Sequence, residues 1–206
     1  MYIDTEKYYL LSLFPTPLFK VKEKFNITDD LKNHLQDIKM INNTFNLMSA
    51  DQNILLNDKK FKSLKNYIKK WLDFYTKEIL KIKDIDFYIT QSWLNKNRNL
   101  DKHHSHRHTN SLVSGVFHFE DNMSSIVFER KNDIFNLQFN YSEFNDYNAE
   151  SYKFSTEANT LILFPSGLYH SVESNISNQI RHSLSFNTFA KGTIGKFNEL
   201  NTLILK

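Results

Sequence analysis

Thr160-Leu161-Ile162-Leu163-Phe164-Pro165-Ser166-Gly167-Leu168-Tyr169-His170-Ser171-Val172 is an apolar strand, a Pro-Ser-Gly turn and a histidine at the start of the next strand. Outward from it, the chain reads as short β-type runs over 86–94, 103–108, 112–120, 124–130, 134–139, 152–155, 160–164, 171–173 and 180–189. Polar clusters such as Asp121-Asn122, Asn145-Asp146 and 175–178 separate them, as a closed or double-sheet β architecture requires. The stretch 140–151 is a long polar excursion, expected as a loop near a site mouth.

Before residue 85 the signals are different. The segment 10–19 is apolar but carries Pro15 and Pro17, which forbid a helix interior, so it reads as an edge strand or extended arm. Thr28-Asp29-Asp30 is a helix-start signature with Leu31, Leu35 and Ile38 behind it. From about 58 to 82, Phe61, Leu64, Ile68, Trp71, Leu72, Tyr75 and Ile79 trace one helical face, with lysines on the other, a solvated outer face to which no function is assigned. The expected fold is mainly β, a double-stranded β-helix or cupin-like jelly roll with N-terminal helices packed on the sheet. One domain is expected over 1–206: a helical part to about 84, a core over about 86–190 and a tail over 191–206.

Composition narrows the chemistry. The 206 residues contain no cysteine, which excludes disulfides, thiolate metal sites and a cysteine nucleophile, and leaves histidine and oxygen as metal ligands. A net charge of +3 with dispersed lysines does not indicate a nucleic-acid partner. The start carries Asp4, Glu6 and Lys7 and lacks the pattern of a signal peptide, and no run is long enough to span a bilayer, so no membrane is expected and the cytoplasm is the expected compartment.

Six of the eight histidines fall between His103 and His170. Four lie in Asp101-Lys102-His103-His104-Ser105-His106-Arg107-His108-Thr109-Asn110, where strand alternation predicts that His104, His106 and His108 point to one side. In a jelly roll the strand after the Pro-Ser-Gly turn runs beside this block, so His170 supplies a third imidazole and leaves the opposite face of an ion open. Further on, Arg181, Ser183, Ser185 and Asn187 share one strand face and Leu184 and Phe186 the other. An arginine turned into a barrel needs an anion, and its planar fork suits a carboxylate such as one end of a dicarboxylate co-substrate, with Ser183 adding a hydroxyl donor. Trp93 and Asn95 share a face of the preceding strand and could line the same pocket. Gly115 and Gly167 are expected to serve tight packing and the turn.

Four stretches, Leu13-Phe14-Pro15-Thr16-Pro17-Leu18, His106 to Ser111 running into Ser114-Gly115-Val116-Phe117, Leu163 to His170, and Arg181-x-Ser183-x-Ser185-Phe186-Asn187, together resemble the 2-oxoglutarate and iron(II) dependent oxygenase superfamily. The resemblance is to its small members common in phages and marine bacteria, and the tail Phe189 to Gly195 also fits. It implies iron(II) held by His106, His108 and His170, and 2-oxoglutarate gripped by Arg181 and Ser183. The implied reaction is hydroxylation of an unidentified substrate, with release of succinate and carbon dioxide. The superfamily usually has His-x-Asp where this chain has His106-x-His108, so His104 or Asp101 stands as an alternative ligand, or as a support behind the ligands together with Asn95. His118 replaces a usual tyrosine and is expected either to hold the co-substrate by a hydrogen bond or to be a hydrogen-bonded core histidine. The rival from another class is a cupin-like metal-binding protein or isomerase without oxygenase activity. The substrate and the oligomeric state are not legible in the sequence.

Overall fold

The computed structural model describes all residues except 1, 5, 8, 122–123 and 132–138. Its strands are β1 (Tyr2–Asp4), β2 (Tyr9–Leu11), β3 (Phe19–Lys20), β4 (Met40–Asn43), β5 (Asn46–Ser49), β6 (Ile85–Asn97) and β7 (His103–His106). They continue as β8 (Val113–His118), β9 (Ser125–Glu129), β10 (Ser151–Ser155), β11 (Thr160–Pro165), β12 (Tyr169–Val172), β13 (Arg181–Ile194) and β14 (Leu203–Leu205). The helices are α1 (Asp29–Asp37), α2 (Ile54–Asn57) and α3 (Lys62–Phe74). The expected strand over 134–139 falls on residues outside those described, apart from Phe139.

Two antiparallel sheets make the jelly roll. The larger runs β3-β11-β8-β13-β6-β5-β4 with β14 beside β13, and the smaller runs β10-β9-β12-β7. Strand alternation sends Phe117, Leu161, Leu163, Leu184 and Phe186 to the outer side of the large sheet, where they form one core with Leu64, Ile68 and Leu72 of α3. The neighbouring residues Val116, Ile162 and Phe164 point the other way and meet Ile126 and Phe128 of the small sheet. A large sheet buried on both faces explains why β8 and β11 read as almost unbroken apolar runs.

Gly115 marks a tight point in this arrangement. A Cβ there would lie 2.3 Å from the Phe186 ring and 2.8 Å from Leu163, so a bare backbone is needed for the outer core to close. Gly167 differs from expectation. A Cβ there would meet nothing within 4 Å, and its backbone is not left-handed, so the turn does not depend on glycine.

The N-terminal helices also depart from the expected pattern. Thr28 caps α1 by accepting from the Leu31 N–H at 3.3 Å, as the signature implied. The single helix expected over about 58–82 is instead segmented. Asp58 accepts from the Lys60 N–H at 2.9 Å and starts a 3-10 turn over Lys59–Phe61 before α3, and α3 ends in a π turn over Tyr75–Ile79. The Thr76 hydroxyl donates to the Leu72 carbonyl at 2.9 Å, competing with the backbone ladder where α3 widens. The hairpin β4–β5 was not expected. Its signal is present as Met40-Ile41 and Leu47-Met48 around an Asn-rich turn. No helix among the described residues is long and apolar enough to cross a membrane.

Candidate metal and co-substrate site

The cavity between the sheets is lined by His103, His106, His108 and His170 on one side, and by Trp93, Asn95, Asn97, His118, Arg181, Ser183 and Ser185 on the other. β12 lies antiparallel to β7 with His170 opposite His106, so two sequence-distant imidazoles face one another. His108 lies just beyond β7, where its N–H donates to the Ser166 carbonyl at 2.9 Å. Ser166 is held in turn, its Oγ lying 2.7 Å from Ser111 Oγ and 2.8 Å from Ser114 Oγ. The turn that delivers His170 thus also fixes His108.

Strand alternation fails within the histidine block. Val172 pairs with His103 while His170 pairs with His106, so three residues of β7 span two of β12 and a bulge lies between. The bulge brings His103 onto the cavity face with His106 and leaves His104 exposed, contrary to the expected grouping of His104, His106 and His108. His104 stays near His103 and His106, with ligand atoms within 4.8 Å of one another. Asp101 is not brought to the site; its carboxylate accepts from the Arg98 N–H at 2.9 Å and from Arg98 Nε at 3.1 Å in the preceding turn.

The ligand atoms of His106, His108 and His170 also lie within 4.8 Å of one another. His106 Nδ1 lies 2.8 Å from the His104 carbonyl and His170 Nδ1 lies 3.0 Å from the Leu168 carbonyl. A carbonyl only accepts, so each Nδ1 carries the proton and each Nε2 presents a lone pair. The Nε2 atoms of His108 and His170 are 3.3 Å apart, a hydrogen bond when His108 carries its proton on Nε2. The spacing also suits two ligands of one ion, since bonds of about 2.1 Å at tetrahedral to octahedral angles give separations of about 3.0–3.4 Å. Burial pushes His108 down to about 3 and His170 down to about 4, and it lowers His106 as well, so all three are neutral at pH 7 and ready to ligate. The donor set fits a divalent transition-metal ion.

Arg181 begins β13 and is 3% exposed. Its Nη1 donates to Ser124 Oγ at 2.5 Å, while its Nε is buried with no partner among the described residues. Among the described residues no carboxylate lies within ion-pair distance of it. Glu120, whose charge acts on it, is engaged with both oxygens on His182, accepting from the backbone N–H at 2.7 Å and facing Nδ1 at 2.9 Å. Burial lowers the guanidinium to about 10, which leaves it cationic at neutral pH. His118 is 2% exposed with neither ring nitrogen hydrogen-bonded to any described residue, unlike the hydrogen-bonded core histidine of the alternative expectation. Ser183, also buried, pairs in register with both His118 and Asn95. Asn95 Nδ2 donates to Ser185 Oγ at 3.0 Å.

Residues 91–187 match the family model described as "Putative 2OG-Fe(II) oxygenase", a span that contains every one of these cavity groups except those of β5. Over that span the chain is similar to the 2-oxoglutarate/iron(II) oxygenases. No curated protein matches it by sequence. Solved structures of this oxygenase fold do. A 2OG-Fe(II) oxygenase family oxidoreductase from Burkholderia pseudomallei is 12% identical with a TM-score of 0.56, covering 77% of this chain and 76% of its own. HygX from Streptomyces hygroscopicus, with nickel and 2-oxoglutarate bound, is 10% identical with a TM-score of 0.60, covering 84% and 82%. SnoN, a non-heme alpha ketoglutarate dependent epimerase from nogalamycin biosynthesis, is 8% identical with a TM-score of 0.60, covering 86% and 81%. At such identities the likeness is one of fold.

Within this cavity the structure brings together His106, His108, His170, Arg181, Ser183, His118 and Asn95, and it leaves Asp101 outside. Sequence reasoning missed His103, Asn46, Asn97 and Ser124. His103 is brought in by a bulge, and Ser124 by a contact 57 residues away in sequence, neither of which has a local signal. The polar stretch 140–151 does not line this cavity; its residues 146, 147 and 149–151 border a separate open cleft with the N-terminal arm at 11–18.

Proposed function

We propose that this protein is an iron(II)- and 2-oxoglutarate-dependent dioxygenase that hydroxylates a small or polymeric substrate and releases succinate and carbon dioxide. One observation carries the reading: a buried, cationic guanidinium with no carboxylate partner among the described residues shares its cavity with three convergent neutral imidazoles. A metal binder alone has no use for a buried unpaired cation, which is costly to keep unless an anion arrives.

His106, His108 and His170 would hold iron(II) through Nε2 and leave the opposite face open for co-substrate and dioxygen. The carbonyls of His104 and Leu168 fix the ring orientation and tautomer of His106 and His170. Arg181 would take the far carboxylate of 2-oxoglutarate, with Ser183 and His118 beside it. Val116, Ile126 and Phe164 exclude water from the cavity floor. When bound, the iron and co-substrate supply the oxidising power; positioning and shielding are the protein's part.

Anaerobic addition of iron(II) and then 2-oxoglutarate to the metal-free protein tests this, with a visible charge-transfer band expected. Arg181→Ala should keep iron affinity within about threefold while weakening 2-oxoglutarate at least 100-fold, since a buried charged partner is lost. A metal-loaded, folded sample without the band would move the reading to the cupin-like metal binder.

A further inference from the structure

Asn97 stands directly opposite Arg181 in the β6–β13 register, and both are buried, at 1% and 3% exposure, on the wall of the same cavity. The orientation of its amide is set by a relay. Asn43 Nδ2 donates to Asn46 Oδ1 at 3.0 Å, and Asn46 Nδ2 donates to Asn97 Oδ1 at 3.4 Å. The oxygen of Asn97 is therefore occupied, and its Nδ2 is left buried with no acceptor among the described residues. Across the strand pair the Nε of Arg181 is also buried with no acceptor among the described residues. An unmade bond to a buried donor is expensive, and two of them on register partners lining one cavity, one carrying a fixed positive charge, define a place for an anionic oxygen pair.

We infer that Asn97 grips the far carboxylate of 2-oxoglutarate as a second donor beside Arg181, and that Asn46 is the positioning residue that aims it. This rests on the oxygenase reading above. It extends the co-substrate site to the hairpin β4–β5, which lies outside the span 91–187 that carries the family match. The relay also discriminates by charge: an Asp at position 97 would satisfy Arg181 permanently and leave no room for an incoming anion.

The test is calorimetric titration of nickel-loaded protein with 2-oxoglutarate, run beside thermal melting of the metal-free protein. In Asn97→Leu, 2-oxoglutarate should bind about 10- to 100-fold more weakly with nickel affinity unchanged, while the metal-free protein melts no lower than wild type because a stranded donor has gone. In Asn97→Asp, binding should vanish and the melting temperature should rise. Asn46→Leu should weaken binding by a smaller factor, and combining it with Asn97→Leu should add nothing, as expected of a residue that acts through another. Wild-type affinity in Asn97→Leu, or additive losses in the double variant, would overturn the inference alone. Failure of the nickel-loaded wild type to bind 2-oxoglutarate would overturn the oxygenase reading and this inference with it.

Discussion

His118 is 2% exposed, carries no hydrogen bond from either ring nitrogen to any described residue, and lies within reach of the charges of Arg181 and Lys20. Burial first, and those cations next, push it down from 6.5 to about 3. Its folded value is depressed, so its contribution to stability is complete above pH 6.5 and is lost as pH falls toward 3, because the unfolded chain takes up a proton that the native chain refuses. Between pH 6.5 and 4 this one group accounts for about 3 kcal/mol. In His118→Leu the metal-free protein should therefore be at least as stable at pH 7.5 and lose less stability on acidification, measured by urea unfolding at each pH. An unchanged acid limb in that variant would remove His118 as the source. The co-substrate role is separable, since the same variant should weaken 2-oxoglutarate binding at pH 7.5 if the imidazole donates to it.

At the scale of elements, the site depends on how closely β8, β11 and β13 approach. Gly115 on β8 lies under the Phe186 ring of β13, and a methyl group there would overlap it. Gly115→Ala should cost about 1–3 kcal/mol, read as a lower urea midpoint, through overpacking rather than any polar effect. Adding Phe186→Leu should recover part of that loss, because the nearest overlap is with the ring; an additive double variant would place the strain elsewhere. The same sheet carries His118 and Ser183, so Gly115→Ala should also weaken the co-substrate site without touching β7. The bulge in β7 is the second element-scale device, and it replaces a plain alternation of histidines by a cavity face that holds His103 with His106.

For the whole molecule, the three-imidazole centre joins the small sheet to the loop beyond β7, so an ion bound there stabilises the folded chain and not the unfolded one. Nickel or iron(II) at a thousandfold excess over its dissociation constant should add about 4 kcal/mol, and a chelator should remove it. The pH dependence of that gain has a definite sign. A free imidazole would lose half its ligating form at 6.5, but His108 at about 3 and His170 at about 4 remain neutral well below that. The metal-dependent rise in melting temperature should persist from pH 8 down to about 5. A gain already halved at pH 6.5 would show that these rings are not held neutral by burial.

Much of this was legible in the chain itself. The period-two runs after residue 85, the apolar strand with its Pro-Ser-Gly turn before His170, and the parity of Arg181, Ser183 and Ser185 follow from local backbone geometry, which a sequence records directly. So does the capped start of α1 at Thr28. Tertiary structure decided the rest. The bulge that turns His103 inward depends on the partner strand, the lack of a carboxylate at Arg181 among the described residues depends on Glu120 being taken by His182, and the orphaned amide of Asn97 depends on a hairpin about 50 residues earlier. Periodicity says which way a side chain points; only the packed chain settles whether a buried polar group finds a partner, and three of the residues left without one among those described, Asn97, His118 and Arg181, line the site.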